Sequence, residues 1–483
     1  MFVGRTTESK QLEDYYGVDR NNLIILYGRS NIGKTKLILE FTKGKPCFYY
    51  AAREASEKEQ LLHMQEEVKE QLLHMQEEVR EQLLYMQEEV IAQSSIKIEY
   101  LDYYHILEAA VLNIRTSSTN DSKTIIVIDE FHHIIKNSNE FVTAFTRLLA
   151  QQERFGKVMI ILCSSSVNWV ENDMVSSLGL AARNISAFLK LKEFTFMDFV
   201  NRFPNSSVEQ CVYINGVLGG VPGYLEEWSE VLSVEDNIKK IILNTNGKLH
   251  NEAEHFLKSE LRELSLYNTI LATLSKGKIK LNDIHNRTGF SRAKISVYIK
   301  NLIQLDIAEK TFSYGTTGRE NTLKGLYRIK DNYINFWYRY VFPNLSLLKK
   351  QQVDLVYETK VKPDLNEYMK EYFVSTCTEC LKLMNTYHRL PYEYENWGSW
   401  FGKNGNIDII AEDKTGKTLV GSCLWLDQAM EMPDYSHFKE LIEQARIEPE
   451  HYYLFSKNGF SKELEELAIK SKYIKLIPLE ELQ

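Results

Sequence analysis

No run of eighteen apolar residues occurs in this sequence, so nothing in it has the length and polarity of a bilayer-crossing helix. The opening residues, Met1-Phe2-Val3-Gly4-Arg5, lack the basic segment and apolar core of a secretion signal, and the expectation is a cytoplasmic chain without a membrane partner. Cysteine is scarce. The six stand at 47, 163, 211, 377, 380 and 423, several inside apolar runs, which suits reduced core thiols rather than a disulfide framework. Cys377 and Cys380 form a lone CxxC on a helical stretch with no second pair, too little for a zinc site. Positive charge is also short: Lys and Arg number 58 against 66 Asp and Glu, a net charge of −8. That balance argues against wholesale polyanion binding and leaves nucleic-acid contact to a local patch. What remains is ordinary globular material, 44% hydrophobic and 26% charged, and 483 residues are too many for one core, so three or four domains are expected.

The rest of the chain is organised around residues 23–41. An apolar, β-branched run, Leu23-Ile24-Ile25-Leu26-Tyr27, ends in Gly28, and Arg29, Ser30, Asn31 and Ile32 lead to Gly33-Lys34-Thr35-Lys36 and a helical pattern. The spacing G-x-x-x-x-G-K-[ST] between a strand and a helix is that of a phosphate-binding P-loop. Glycines let backbone N–H groups turn inward around an anion, and the helix N-terminus adds unpaired donors and a positive dipole end. In this reading Lys34 reaches the β- and γ-phosphates of a nucleoside triphosphate and the Thr35 hydroxyl sits on Mg²⁺.

About ninety residues on, 124–130 reads as a buried strand ending in Asp129-Glu130. As a Walker B strand it supplies Asp129 for Mg²⁺ and Glu130 to polarise the water that attacks the γ-phosphate. A further buried strand, 158–163, ends in Ser164-Ser165-Ser166, where a hydroxyl either senses the γ-phosphate or serves as a plain cap. Strands alternating with helices to this point predict an α/β domain with a largely parallel sheet and its ligand at the carboxyl ends of the strands.

Between these motifs lies a repeat of period eleven: residues 59–69 recur with small changes as 70–80 and 81–91. Leu61, Met64, Val68, Leu72, Met75, Val79, Leu83, Met86 and Val90 step by three, four and four, one stripe on one face of a nearly straight helix. Two arrangements fit. The helix lies against its own domain, or it projects as an arm that pairs with another protomer and makes a homo-oligomer.

From about residue 190 the pattern turns helical and contains the Gly/Pro turn 219–225. Residues 266–274, 281–288 and 292–305 read as three helices, the last two joined by Thr288-Gly289-Phe290-Ser291 as in a helix-turn-helix, with 308–311 and 327–329 as two wing strands. Lys276, Lys278, Lys280, Arg287, Arg292, Lys294 and Lys300 give this stretch a local basic balance suited to DNA phosphates, or simply to a solvated surface.

Together these residues resemble the archaeal and bacterial P-loop ATPases related to the AAA+ and STAND ATPases, over nearly the whole chain. The likeness is carried by Phe2-Val3-Gly4-Arg5, the P-loop, Asp129-Glu130, the serine-ending strand, the 219–225 turn, and 325–329 ahead of Phe336-Trp337-Tyr338. It implies an ATP-binding, Mg²⁺-dependent ATPase acting as a nucleotide-controlled switch. It also implies an ATPase core at 1–188, a helical lid at 189–262, a winged helix at 263–342, a linker at 343–370, and a domain similar to restriction-endonuclease-like folds at 371–483. By the same resemblance Ser165 lies near the γ-phosphate, Pro222 near the adenine, and Arg183 aligns with an arginine usually preceded by glycine, here Ala182. The eleven-residue repeats have no counterpart in the family pattern.

The C-terminal part departs from nuclease chemistry. Such a core needs an Asp on one strand and an acid-x-Lys on the next to hold a metal and activate water. Asp408 is present, but Ser422 and Leu424 occupy the acid and lysine positions, and Val374 stands where a helical acid is often found. The expectation is a nuclease-like fold without cleavage, serving as a protein-partner surface. Two alternatives are a nucleotide-gated DNA-binding regulator with little turnover and an effector nuclease whose site is displaced.

Overall fold

The computed structural model describes residues 4–84, 102–117, 122–136, 138–277, 279–315 and 325–482. They fall into two compact units, Met1–Lys192 and Glu193–Gln483, and each is described by itself.

In the first unit five parallel strands, β1 (Asn22–Tyr27), β2 (Cys47–Ala51), β3 (Thr124–Asp129), β4 (Val158–Ser164) and β5 (Ile185–Lys190), lie in the order β2-β3-β4-β1-β5. Strands β1, β3 and β4 are buried along their whole length, which is why each reads as an unbroken apolar run. Alternation sorts their side chains between two cores. Ile24, Leu26, Ile125, Val127, Met159 and Ile161 pack on one face with Leu37, Ile38 and Phe41 of the P-loop helix Lys34–Thr42 and Leu12 of Thr6–Gly17. Ile25, Ile126, Ile128, Ile160 and Leu162 face the helices Tyr103–Ser117 and Glu140–Ala150 on the other. β5 is a half-buried edge strand, so its residues carry no strong apolar signal, and it runs across the expected boundary at 188. Leu191 N–H still bonds Tyr27 O at 2.8 Å, so the unit ends at Lys192.

The repeat begins a helix, Glu57–Leu84. Met64 and Val68 are buried in the unit's own core and Leu61 packs against it, so the first repeat lies on its own domain. The side chains of Leu72, Met75, Val79 and Leu83, and all of 85–91, lie outside the described part.

The second unit opens with Phe196–Arg202 and Val208–Leu218, each started by a capping box from Thr195 and Ser207. The helices Leu264–Leu274, Leu281–Thr288 and Arg292–Gln304 lie close to the expected bounds. Beside them, β8 (Leu326–Ile329) pairs antiparallel with both β6 (Ile279–Lys280) and β7 (Ala308–Thr311). The expected linker at 343–370 is instead helical: Leu345–Lys349, Val353–Val356, and a 25-residue helix, Lys362–Thr386, that passes straight through the expected boundary at 370. Leu365, Tyr368, Met369, Tyr372, Phe373, Cys377 and Leu381 are buried at helical spacing along it, and that apolar stripe is what keeps the segment from being a spacer. One hydrophobic cluster reaches from Phe196 to Leu482, so the helices that open the unit, those between Leu264 and Gln304 and the C-terminal sheet share a core.

The C-terminal sheet is β13-β12-β11-β10-β9, formed by β9 (Tyr394–Phe401), β10 (Asn406–Asp413), β11 (Thr418–Leu424), β12 (His451–Ser456) and β13 (Ile474–Pro478). The first three strands run antiparallel and the last three parallel, with Met432–Ala445 and Lys462–Lys470 covering Ile407, Ile410, Val420 and Leu454. No helix among the described residues is long and apolar enough to cross a membrane.

Candidate functional site

β1 delivers the chain into the P-loop. An added Cβ at Gly28 would lie 2.8 Å from Leu191 O, so a larger residue would push the loop off the sheet, and Gly33 at φ 91° turns it into the helix. Lys34 is 6% exposed, and its Nζ donates to Gly28 O at 2.9 Å and Arg29 O at 3.2 Å, so its charge sits inside the loop. Asn31 adopts φ 62° at the loop's crest. The loop is also gripped from behind. Buried Arg5 donates through Nη2 to Ile32 O at 2.9 Å and pairs through Nη1 with Glu8 at 3.2 Å. The motif Phe2-Val3-Gly4-Arg5 holds this residue, but its spacing gives no sign that it clamps the loop.

The strand order brings the second group of residues to the same edge. Because β4 lies between β1 and β3, the ends of all three strands converge beside the P-loop. Asp129 Oδ2 accepts from Thr35 Oγ1 at 2.9 Å and from Tyr49 Oη at 2.8 Å, and its Oδ1 accepts Glu130 N–H at 3.0 Å. A buried carboxylate beside a hydroxyl is a donor set that fits a hard divalent cation. Burial first, and then the Asp129 carboxylate, push the Tyr49 phenol well above its ordinary pKa, so it stays a donor. Nothing in the sequence singles out Tyr49, which looks like one more residue of a short strand.

Glu130 sits at φ 52°, a left-handed conformation uncommon for a residue with a side chain. Its Oε2 accepts from Ser165 N–H at 2.8 Å and Ser165 Oγ at 2.8 Å, and its Oε1 lies 4.0 Å from Lys34 Nζ. The third partner has no signal in the sequence. His132, 5% exposed, places Nδ1 at 3.3 Å from Glu130 Oε2 and 3.1 Å from Ser164 Oγ. Burial, helped by His133, Lys136 and Lys34, pushes its pKa down to about 3, so the ring is neutral. Lys34, Thr35, Asp129, Glu130 and Ser165 are thus brought together as the sequence expects, and Arg5, Tyr49 and His132 complete the arrangement.

Two expected residues have no described hydrogen bond or ion pair with this group. Arg183 is exposed on the short turn Gly179–Asn184 ahead of β5, and no described hydrogen bond or ion pair draws it to Glu130. Pro222 belongs to the second unit, where it opens the one-turn helix Pro222–Leu225.

In the second unit Lys276, Lys280, Arg287, Arg292, Lys294 and Lys300 are exposed, while Lys278 lies outside the described residues. Asp408 stands on β10 with Oδ2 accepting Cys423 N–H at 2.9 Å. It lines a cleft of about 980 Å³ together with Lys276, Glu371, Glu379, Lys382 and Trp397. Glu371 is paired with Arg328, and Glu379 accepts Phe196 N–H at 2.6 Å. Among the described residues no group of three or more His, Cys, Asp or Glu is placed to hold a metal ion. The six cysteines are free thiols.

Residues 2–228 match a family described as an ATPase domain predominantly from Archaea, and residues 337–434 match a family of archaeal and bacterial proteins of unknown function. The chain is similar to an uncharacterised protein of Methanocaldococcus jannaschii, 28% identical over 88% of both chains. An uncharacterised ATP-binding protein of the same organism is 49% identical over 45 residues, 9% of this chain and 76% of that one. A Walker-type ATPase of Pyrococcus abyssi aligns structurally over 70% of this chain and 96% of its own, at 16% identity and a TM-score of 0.44.

Proposed function

We propose that this chain, whose residues 2–228 match a family described as an ATPase domain predominantly from Archaea, binds ATP with Mg²⁺ and hydrolyses it slowly to ADP. The observation that carries the reading is the meeting of Lys34, Asp129, Glu130 and Ser165 at one sheet edge. Lys34 supplies the point charge for the β- and γ-phosphates, and the loop from Gly28 to Lys36 supplies backbone donors. Glu130 orients the attacking water, and Ser165, two backbone steps beyond the end of the apolar run, reads the γ-phosphate. Thr35 and Asp129 would hold Mg²⁺, whose chemistry is to neutralise charge on the β- and γ-oxygens. By resemblance alone Pro222 is assigned to the adenine side, and Arg183 aligns with an arginine usually preceded by glycine, where this chain has Ala182.

Equilibrium binding of a fluorescent ATP analogue, paired with phosphate release, tests the assignment. Lys34→Ala should lose about a hundredfold or more in affinity, because its ammonium is the charge held inside the loop. Glu130→Gln should bind normally and lose turnover. Full affinity in the Lys34 variant would sink the reading.

The same proposal has nucleotide state controlling the second unit, whose helices from Leu264 to Gln304 and antiparallel strands are read as a winged helix and whose C-terminal sheet offers a protein-partner surface. The exposed basic residues along Leu281–Thr288 and Arg292–Gln304 favour DNA as a ligand of that module, which supports the reading of a DNA-binding regulator. A gel shift that weakens steeply with salt and responds to ATP would support it further. Indifference to both would leave an ATPase that acts on protein.

A further inference from the structure

Glu130 Oε2 is surrounded by more donors than a water-polarising carboxylate requires. Ser165 gives it both a backbone N–H and a hydroxyl, and His132 Nδ1 approaches the same oxygen at 3.3 Å. We propose that His132 is a positioning residue for Glu130: its Nδ1–H ties down Oε2, which leaves Oε1, on the Lys34 side, to meet the attacking water. The inference rests on reading residues 28–35 and 129–130 as an ATP site.

The tautomer is set by the neighbours. An ionised carboxylate can only accept, so Nδ1 bonds Oε2 only in the tautomer that carries its proton there. Ser164 Oγ, 3.1 Å from the same Nδ1, accepts Ser166 N–H at 3.2 Å and has a second lone pair for a donor. The ring cannot turn away freely, because His133 lies 4.1 Å and Trp169 6.1 Å from it, centroid to centroid. Burial keeps the imidazole neutral, so it holds Glu130 without neutralising it. Ser165 has two assignments in this site, Glu130 and the γ-phosphate. When its hydroxyl turns to phosphate, His132 is the side chain that still restrains the carboxylate, and a carboxylate misplaced by an ångström costs about a hundredfold in rate.

The test compares wild type with His132→Ala and His132→Asn in the full chain, reading steady-state ATP hydrolysis, equilibrium binding of the fluorescent ATP analogue, and ¹⁵N shifts of labelled histidine. His132→Ala should lower kcat about tenfold to a hundredfold while KM and the analogue's Kd stay within about twofold. The amide of His132→Asn donates from nearly the same place and should recover a large part of kcat. The histidine signal that disappears in His132→Asn should show the Nδ1-protonated pattern in the nucleotide-free wild type. An Ala variant as fast as wild type, an Asn variant as slow as Ala, loss of binding in step with kcat, or an Nε2-protonated signal would each overturn the proposal. A wild type that hydrolyses no ATP would instead overturn the ATPase reading, and a histidine signal that changes between wild type and Glu130→Gln would still decide the His132–Glu130 bond.

Discussion

Tyr49 Oη donates a 2.8 Å hydrogen bond to Asp129 Oδ2, the same oxygen that takes the Thr35 hydroxyl at 2.9 Å. The phenol comes from β2, the strand next to β3, and reaches the carboxylate because Ala51 and Asp129 are Cα partners in register. One carboxylate oxygen thus gathers β2, the end of β3 and the first turn of the P-loop helix.

Removing that phenolic donor should loosen the cation site without touching the phosphate cradle. In Tyr49→Phe the Mg²⁺ concentration for half-maximal hydrolysis should rise about tenfold, as is typical when the group orienting a metal-binding carboxylate is lost. Metal-free affinity for the ATP analogue should not change. A Mg²⁺ titration of wild type and variant reads the difference, and an unshifted midpoint would mean that Thr35 and the Glu130 amide suffice to orient Asp129.

The buried imidazole of His132 makes stability depend on pH. Its folded pKa, about 3, lies below the ordinary histidine value of 6.5, so between those limits the unfolded chain binds the extra proton and stability falls as pH falls. By about pH 4.5 the loss from this group should reach about 2–3 kcal/mol. Thermal melts of wild type and His132→Asn between neutral and mildly acid pH should therefore converge, with wild type losing more on the acid side. Parallel curves would contradict the burial-driven shift.

Within the first repeat, burial separates residues that look alike in sequence. Met64 is fully buried in the first unit's core and Leu62 is 46% exposed. Met64→Ala should cost about 2–3 kcal/mol, whereas Leu62→Ala should stay within about 0.5 kcal/mol. Urea unfolding of the two variants checks this. Light scattering on a Leu72, Met75 and Val79 to Glu triple variant, with and without ATP, asks separately whether the later repeats drive self-association.

Asp408 should prove structural. Its Oδ2 already accepts Cys423 N–H, with Ser422 and Leu424 on the facing strand where metal and lysine chemistry would be needed. Asp408→Ala should destabilise the chain by about 1–2 kcal/mol through the orphaned amide. Incubation of the intact protein with Mg²⁺ or Mn²⁺ should leave DNA and RNA uncut. Cleavage abolished by Asp408→Ala would show that a site is assembled there after all.

Much of this molecule is written in contiguous residues. The runs at 23–27, 124–129 and 158–163 are strands because each is buried on both faces and so must be apolar at nearly every position, and Gly28 and Gly33 bracket a loop whose geometry tolerates little else. The helices around 264–304 are legible from their periodicity and from Gly289, which takes φ 71° to end one of them. Hidden from the sequence is whatever depends on residues far apart meeting. β5 is a half-covered edge whose residues need not be apolar, so its place beside β1 emerges only from pairing. The segment 343–370 reads as a spacer because its aromatic and aliphatic residues find their partners in a core shared by the whole second unit. Tyr49 and His132 cannot be singled out, since a tyrosine in a strand and a histidine after an acid pair are ordinary until strand order sets the first 2.8 Å from Asp129 and the turn at Glu130, with its φ of 52°, brings the second to 3.3 Å from that carboxylate. Local pattern determines which segments become strand, loop and helix, because burial and backbone geometry act over a few residues. Which distant side chains reach Asp129 is decided by the order of strands in the sheet, because that order brings Thr35 and Tyr49, eighty or more residues away, to one carboxylate oxygen.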